Sequence, residues 1–303
     1  MDEAGPVIRI DNPGPRTAET GWFHFQIGEM EATVVSDGRM RPHSIAGFFP
    51  DISVAELEAA KARAAVDADH FSMEQNCLVL RHKGRLVLFD TGVGQDRVSG
   101  WEVSGILLQS MARAGIDPAE VTDIILTHAH SDHVWGMVSD SGAVLFPKAR
   151  VHLSRIDFDY WTDTEKLPLG GFTATCILGA RRNLLPYLDR ISFVEDGREI
   201  LPGIVAVASP GHSPGHFSYI IASRSDRYIF LGDVAHTSHL QLAHPDWPFA
   251  YDFDSTQAVQ TRKALLQRAV AEDLTLIGYH FDFPGIGKIV RDGEAYRFVA
   301  KRD

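Results

Sequence analysis

Forty acidic against 29 basic side chains leave this 303-residue chain with a formal charge of −11, which argues against a nucleic-acid or anionic-membrane partner held by diffuse electrostatics. A hydrophobic content of 45% is ample for a core, and no apolar run is long enough to cross a bilayer. The start, MDEAGPVIRIDNPGP, lacks a basic segment followed by an apolar one, so a cytoplasmic location is expected. Cys77 and Cys176 are too few and too far apart for a disulfide framework or a thiolate metal site, and both are expected in the core.

Residues 1–20, rich in Pro, Gly and charge, are expected to form an arm on the surface or against a neighbouring subunit, which makes a homodimer an expectation. Trp22–Ile27 and residues 31–35 are predicted as strands turned at Gly28, with Asp37-Gly38 as the next turn. Residues 42–50, PHSIAGFFP, break the periodicity and offer Ile45, Phe48 and Phe49 either to the core or to a substrate. Residues 54–66 have helical composition, with Ser53 as N-cap and Glu56 completing a capping box. Residues 77–81 and Arg85–Phe89 form a hairpin about Lys83-Gly84 that runs into Asp90-Thr91-Gly92. There Asp90 is expected to hold the following loop by hydrogen bonds rather than to ligate a metal. Residues 102–114 are predicted helical and end at Gly115.

Residues 121–126 then read as a buried strand leading into Thr127-His128-Ala129-His130-Ser131-Asp132-His133. Imidazoles and a carboxylate at this density suit zinc and its neighbours. Burying them side by side without a metal would cost several kcal/mol. Alternation lets His128 and His130 point one way while Asp132 and His133 turn towards a second position, so two metals can share the loop. Further on, residues 149–153 read as a strand, and residues 156–161 and 172–188 as helices. The second half repeats the rhythm, with strands at Ile191–Val194 and at residues 204–209, 217–222 and 228–231. Pro210-Gly211-His212-Ser213-Pro214-Gly215-His216 follows one strand and Gly232-Asp233 another. A helix over Ser255–Ala271 and a strand over 274–278 lead to Tyr279-His280. Every candidate ligand follows a strand, as at one rim of a strand-based core whose loops carry the chemistry.

THAHSDH, PGHSPGH, LGD and a late His280, in this order, resemble the ligand series of the metallo-β-lactamase superfamily. The resemblance spans roughly residues 23–299. The tail from His280 to Gly287, with Tyr296-Arg297-Phe298, is most similar to the branch containing methyl parathion hydrolase, and the ligand motifs are similar to those of acyl-homoserine lactone lactonases. It implies an α+β fold, a four-layer αββα sandwich of two mixed sheets with outer helices, as one domain over residues 21–303 whose similar halves meet near Arg190. It implies His128, His130 and His212 on a first metal, Asp132, His133 and His280 on a second, and Asp233 bridging, with His216 left to hydrogen bonding. The ions expected are two Zn2+, with Mn2+, Co2+ or Fe2+ as alternatives. The similar lactonases carry a tyrosine three residues after the bridging aspartate, where this chain has His236.

Two adjacent ions lower the pKa of a shared water, and the resulting hydroxide attacks a carbonyl or phosphoryl centre while Asp132 or His236 manages the proton. The expected function is hydrolysis of a small-molecule lactone or ester in an apolar pocket built from Ile45, Phe48, Phe49, Trp135, Trp161 and Phe172. A phosphotriesterase or aryl-ester hydrolase is the alternative suggested by the similarity to methyl parathion hydrolase. An alternative of another class is a di-iron oxidoreductase on the same fold, against which His130 speaks, because iron reductases of this fold usually bring a carboxylate there.

Overall fold

The computed structural model describes residues 21–40, 44–64, 66, 72–94 and 103–301. The expected N-terminal arm, Pro42 and His43, Ala65 and Glu102 lie outside these residues. The chain opens with antiparallel β1 (Trp22–Ile27) and β2 (Met30–Met40), paired through the Gly28 turn. The expected turn at Asp37-Gly38 does not form. β2 runs through it with a shift of register between Ser36 and Arg39, because the Asp37 carboxylate accepts the Val93 and Leu107 backbone N–H groups at 2.8 Å each and is held inside the sheet. α1 (Val54–Ala64) follows, with Ser53 Oγ accepting the Glu56 N–H as a cap. The hairpin β3 (Met73–His82) and β4 (Arg85–Phe89) is longer on its first strand than expected.

Where one helix is expected over 102–114, the chain instead makes the short β5 (Val103–Ser104), paired to β2, and α2 (Leu107–Arg113). Gly105 at φ +77 separates them. Then come β6 (Asp123–Ile125), α3 (Ser131–Val134), β7 (Arg150–Ser154), α4 (Arg155–Thr162) and α5 (Gly171–Leu184). The helix expected over 172–188 tightens to a 3-10 turn at Leu185–Arg190, since Pro186 offers no N–H to continue it. β8 (Ile191–Val194) completes an eight-stranded sheet in the order β1-β2-β3-β4-β6-β7-β8, with β5 beside β2.

The second sheet contains β9 (Glu199–Leu201), β10 (Ile204–Ala208), β11 (Phe217–Ser223), β12 (Asp226–Phe230), and after α6 (Ser255–Ala271), β13 (Thr275–Ile277), β14 (Ile286–Asp292) and β15 (Ala295–Ala300). Its order is β15-β14-β13-β12-β11-β10-β9, so the chain passes from one sheet to the other after Val194, since β8 still belongs to the first sheet. Both sheets are mixed: β4, β6, β7 and β8 run parallel, as do β12 and β13. The sheets pack face to face through aromatic contacts, with Phe89 of β4 set 5.8 Å from Tyr219 of β11 and 5.3 Å from Phe230 of β12. α6 covers the outer face of the second sheet with Leu265, Leu266 and Ala269, giving the αββα layering. Both cysteines are buried and free. Among the described residues no helix is long and apolar enough to cross a membrane.

Candidate metal centre

Short parallel strands end at one rim, and the polar loops leave from there. The loop after β6 carries His128, His130, Asp132 and His133, with α3 beginning inside the motif so that Asp132 and His133 fall on its first turn. The loop between β10 and β11 brings His212, the turn after β12 brings Asp233, and His280 follows β13. The seven side chains converge. His130 Nδ1 lies 3.0 Å from His212 Nε2. Asp233 Oδ2 is 3.2 Å from His212 Nε2 and 3.8 Å from His128 Nε2, while Oδ1 is 3.2 Å from His133 Nε2 and 3.4 Å from His280 Nε2. Asp132 Oδ2 stands 3.5 Å from His133 Nε2 and 3.4 Å from His280 Nε2. His128, His130 and His212 thus form one group whose ligand atoms share a space fit for an ion, and Asp132, His133 and His280 form another.

Four of these rings are held from behind, and on two of them the inward nitrogen has no hydrogen bond. Thr127 Oγ1 lies 3.0 Å from His128 Nδ1 and donates to Asp90. His133 Nδ1 bonds Asp90 Oδ2 at 2.8 Å, His212 Nδ1 bonds Asp252 Oδ1 at 3.1 Å, and His280 Nδ1 donates to the Glu74 carbonyl at 2.8 Å. His128 Nε2, His133 Nε2 and Asp233 Oδ1 are buried without a hydrogen bond. Orphaned lone pairs of buried nitrogen and carboxylate oxygen, oriented from behind, are the donor set of a divalent-metal site, and the residues fit such ions. Charge agrees. Burial, then neighbouring imidazoles, hold His128 and His130 well below the usual histidine range, keeping them neutral. Burial opposes charge on His133 and His212 too, but adjacent carboxylates win, raising His133 well above that range and His212 to about 9. Asp233 stays ionised despite burial because His133, His280, His236 and His212 surround it.

The supporting residues are less legible in the sequence. Asp90 does make hydrogen bonds, but to the metal loop 37 residues on instead of the loop that follows it. Its oxygens accept the Thr127 N–H and Oγ1–H at 2.8 Å each. Asp157 escapes the sequence reading altogether. From α4 it accepts the Ala129 N–H at 2.7 Å, the Gly215 N–H at 2.9 Å and the Ser213 hydroxyl, so one carboxylate fastens both histidine loops. The available signal is helical spacing, since Asp157 and Trp161 lie one turn apart on one face and both reach Ser213. His216 takes no place among the inward ligands. Its Nε2 accepts the Asp233 N–H at 3.0 Å and its Nδ1 faces Ser209 Oγ at 2.8 Å. Gly232 is required beside it, since φ is +58 and a Cβ would fall 2.6 Å from His216 Nε2.

The expected pocket divides. Phe172 stands 5.3 Å from the His130 ring and is 43% exposed, and Phe48 stacks on Phe249 at 5.2 Å. Ile45, Phe48 and Phe49 all belong to one buried core cluster, where Phe49 packs edge-on against Trp247. Trp161 is also buried and donates its indole N–H to Ser213 Oγ at 2.8 Å, while Trp135 packs on α5 at Gly179, where no Cβ would fit. The rim gains Tyr251, backed by the buried Phe249, and sequence reasoning misses both because they lie in a long stretch without periodicity. His236 does not stand at an open face as a position so close to Asp233 suggests. Its ring stacks on Phe249 at 3.7 Å, with Nε2 3.2 Å from Asp233 Oδ2 and Nδ1 unpartnered.

Known proteins share this sequence pattern and fold. Residues 73–280 match the model of the metallo-beta-lactamase superfamily. The N-acyl homoserine lactonase of Bacillus thuringiensis is 26% identical over 223 residues, covering 68% of this chain and 80% of its own length. The solved structure of AidC, a dizinc quorum-quenching lactonase in complex with a product, superposes with a TM-score of 0.84 at 25% identity over 93% of this chain and 98% of that one. The hydrolase AbOPH, in the beta lactamase superfamily, does so with a TM-score of 0.85 at 25% identity over 94% and 98%. This chain belongs to the metallo-β-lactamase superfamily and is one of its metal-dependent hydrolases.

Proposed function

We propose that the chain is a binuclear hydrolase that opens a lactone or ester bearing an apolar substituent, with zinc at both sites. The observation that carries this reading is Asp233, one carboxylate oxygen of which faces His128 and His212 while the other faces His133 and His280. A bridging carboxylate needs that division. Two divalent ions, when bound, lower the pKa of a shared water towards about 7 and polarise a carbonyl oxygen. His128, His130 and His212 would hold the first and Asp132, His133 and His280 the second. Asp132, with 10% of its side chain exposed against 4% for Asp233, is placed to take up a proton. Burial pushes His236 down to about 4, so at neutral pH it is uncharged, and its Nε2, 3.2 Å from Asp233 Oδ2 on the inner side of the cluster, is the atom that would donate to a substrate oxygen drawn in there.

The lactonase relatives support a lactone ring, and the rim supports an apolar substituent. Phe172 lies 5.1 Å from Tyr251, an exposed aromatic wall beside His130 that is backed by the buried Phe48 and Phe249, 6.0 and 5.8 Å from Tyr251. Net charge acts on approach and is screened within about 8 Å, whereas burial discriminates at roughly 25 cal/mol per Å² of apolar area. Lengthening an acyl chain should therefore raise kcat/KM up to about tenfold for each one or two methylenes until the wall is covered. A panel of lactones, aryl esters and phosphotriesters on zinc-, manganese- and cobalt-loaded protein tests this. Small anionic substrates ranking first, with no effect of chain length, would overturn the lactone and ester reading.

A further inference from the structure

α6 buries Ala258, Arg262, Leu265, Leu266 and Ala269 on one stripe, so a guanidinium occupies the middle of an otherwise apolar face. Arg262 is fully buried, and a cation in such a place is retained only where fixed partners compensate it. Its partners all belong to the site. Nε donates to the carbonyl of Val234, the residue after Asp233, at 2.7 Å. Nη1 donates to the carbonyls of Pro245 and Trp247 at 3.1 and 2.6 Å. Nη2 stands 3.7 Å from Asp252 Oδ2, and the other oxygen of Asp252 faces His212 Nδ1 at 3.1 Å. Asp252 Oδ2 also accepts the Phe249 N–H at 3.0 Å, and the Phe249 ring carries His236.

We propose that Arg262 is a positioning residue that sets the metal ligand His212, through Asp252, and the substrate-facing segment 234–252 as a unit. Nε and Nη1 hold the backbone after Asp233 by hydrogen bonds, while Nη2 meets Asp252, and through it His212 and the Phe249 N–H, as a buried ion pair at 3.7 Å without a hydrogen bond, a planar arrangement that a lysine cannot reproduce. One consequence is that metal affinity and selectivity for substrate substituents change together when Arg262 is altered. The inference rests on the binuclear reading, so its first readout is metal binding, measured without substrate.

The experiment compares wild type, Arg262→Lys, Arg262→Met, Asp252→Asn and the double variant Arg262→Lys/Asp252→Asn by zinc titration against a chromophoric chelator, with melting temperatures of the metal-free proteins. Each single variant should weaken one of two zinc ions about 10–100-fold, the range for partners that orient a ligand. The double variant should be no weaker than the worse single one, because both act through His212. In any substrate that wild type turns over, Arg262→Lys should raise KM more than it lowers kcat. Unaltered zinc affinity in Arg262→Lys with a lowered melting temperature would reduce Arg262 to a structural residue and overturn the proposal. Additive losses in the double variant would do the same. Should both Arg262 variants fail to fold, Arg262→Gln takes their place: wild-type zinc affinity overturns the proposal, and a loss of tenfold or more upholds it. A wild type that binds one zinc would instead defeat the binuclear reading, a result these outcomes keep separate.

Discussion

Two histidine loops build this centre, and they look alike in sequence while dividing their labour differently. In residues 127–133 the side chains of His128, His130, Asp132 and His133 all turn inwards. In residues 210–216 only His212 does so, and His216 turns back to hold the backbone of Asp233. What separates the two fates is the second nitrogen of each ring. His128 and His133 have one nitrogen held from behind and an orphaned partner facing the cluster, whereas both nitrogens of His216 are occupied. His212 falls between them: Asp252 holds its Nδ1 from behind, and its Nε2 meets His130 and Asp233 inside the cluster, whereas neither nitrogen of His216 faces another inward side chain. The loops are nevertheless one mechanical unit, since Asp157 fastens both.

The comparison breaks most visibly at Asp233. Asp233→Ala should lose one metal and reduce turnover by more than the roughly 100-fold typical of an outer partner, because the carboxylate faces both groups. Metal analysis with initial rates checks this, and retention of both ions would contradict the bridge. His236→Phe preserves the stack on Phe249 while removing the donor, so kcat should fall about 100-fold with metal content intact. An unchanged kcat would remove His236 from the reaction.

His216→Ala should keep both metals and cost about 1–3 kcal/mol in chemical denaturation, since the Asp233 N–H and Ser209 hydroxyl lose a buried partner. Metal loss equal to that of Asp233→Ala would mean the two loops do not differ as described. The smallest effect concerns pH. Burial, and then the charge on His212, depress His216 to about 3 from the ordinary 6.5. As pH falls below 6.5 the unfolded chain takes up this proton first, so stability declines from there towards about 3. His216→Asn cannot titrate, and its metal-free form should lose stability less steeply than wild type between pH 6.5 and about 4. Parallel slopes would contradict this account of His216.

The same distinction governs what could be read without the structure. Strands with clear apolar runs, such as Trp22–Ile27 and Ile191–Val194, and the capped helix Ser255–Ala271 stand where the sequence places them, because period and caps act locally. The inward groups were visible because their spacing is short and their chemistry narrow. The outer partners were not: Asp157, Asp252 and Arg262 resemble ordinary charged residues of a helix or loop until the fold carries them into contact. Asp37 misled for a similar reason, since Asp-Gly signals a turn locally and only a contact 56 residues away keeps it in a strand. The hairpin β14–β15 was passed over because β14 mixes Lys288 and Arg291 into its alternation. Ile45, Phe48 and Phe49 are indistinguishable from Phe172 as pocket residues in the sequence, since burial behind a wall and exposure on it demand the same apolar side chains.

The claim underlying the whole account is that seven inward groups hold two ions with Asp233 between them. Metal analysis of wild-type protein purified without chelator, with activity measured on the same sample, tests it most directly. The account predicts close to two equivalents per chain and activity that falls as either is withdrawn. A reproducible single equivalent with full activity would contradict it.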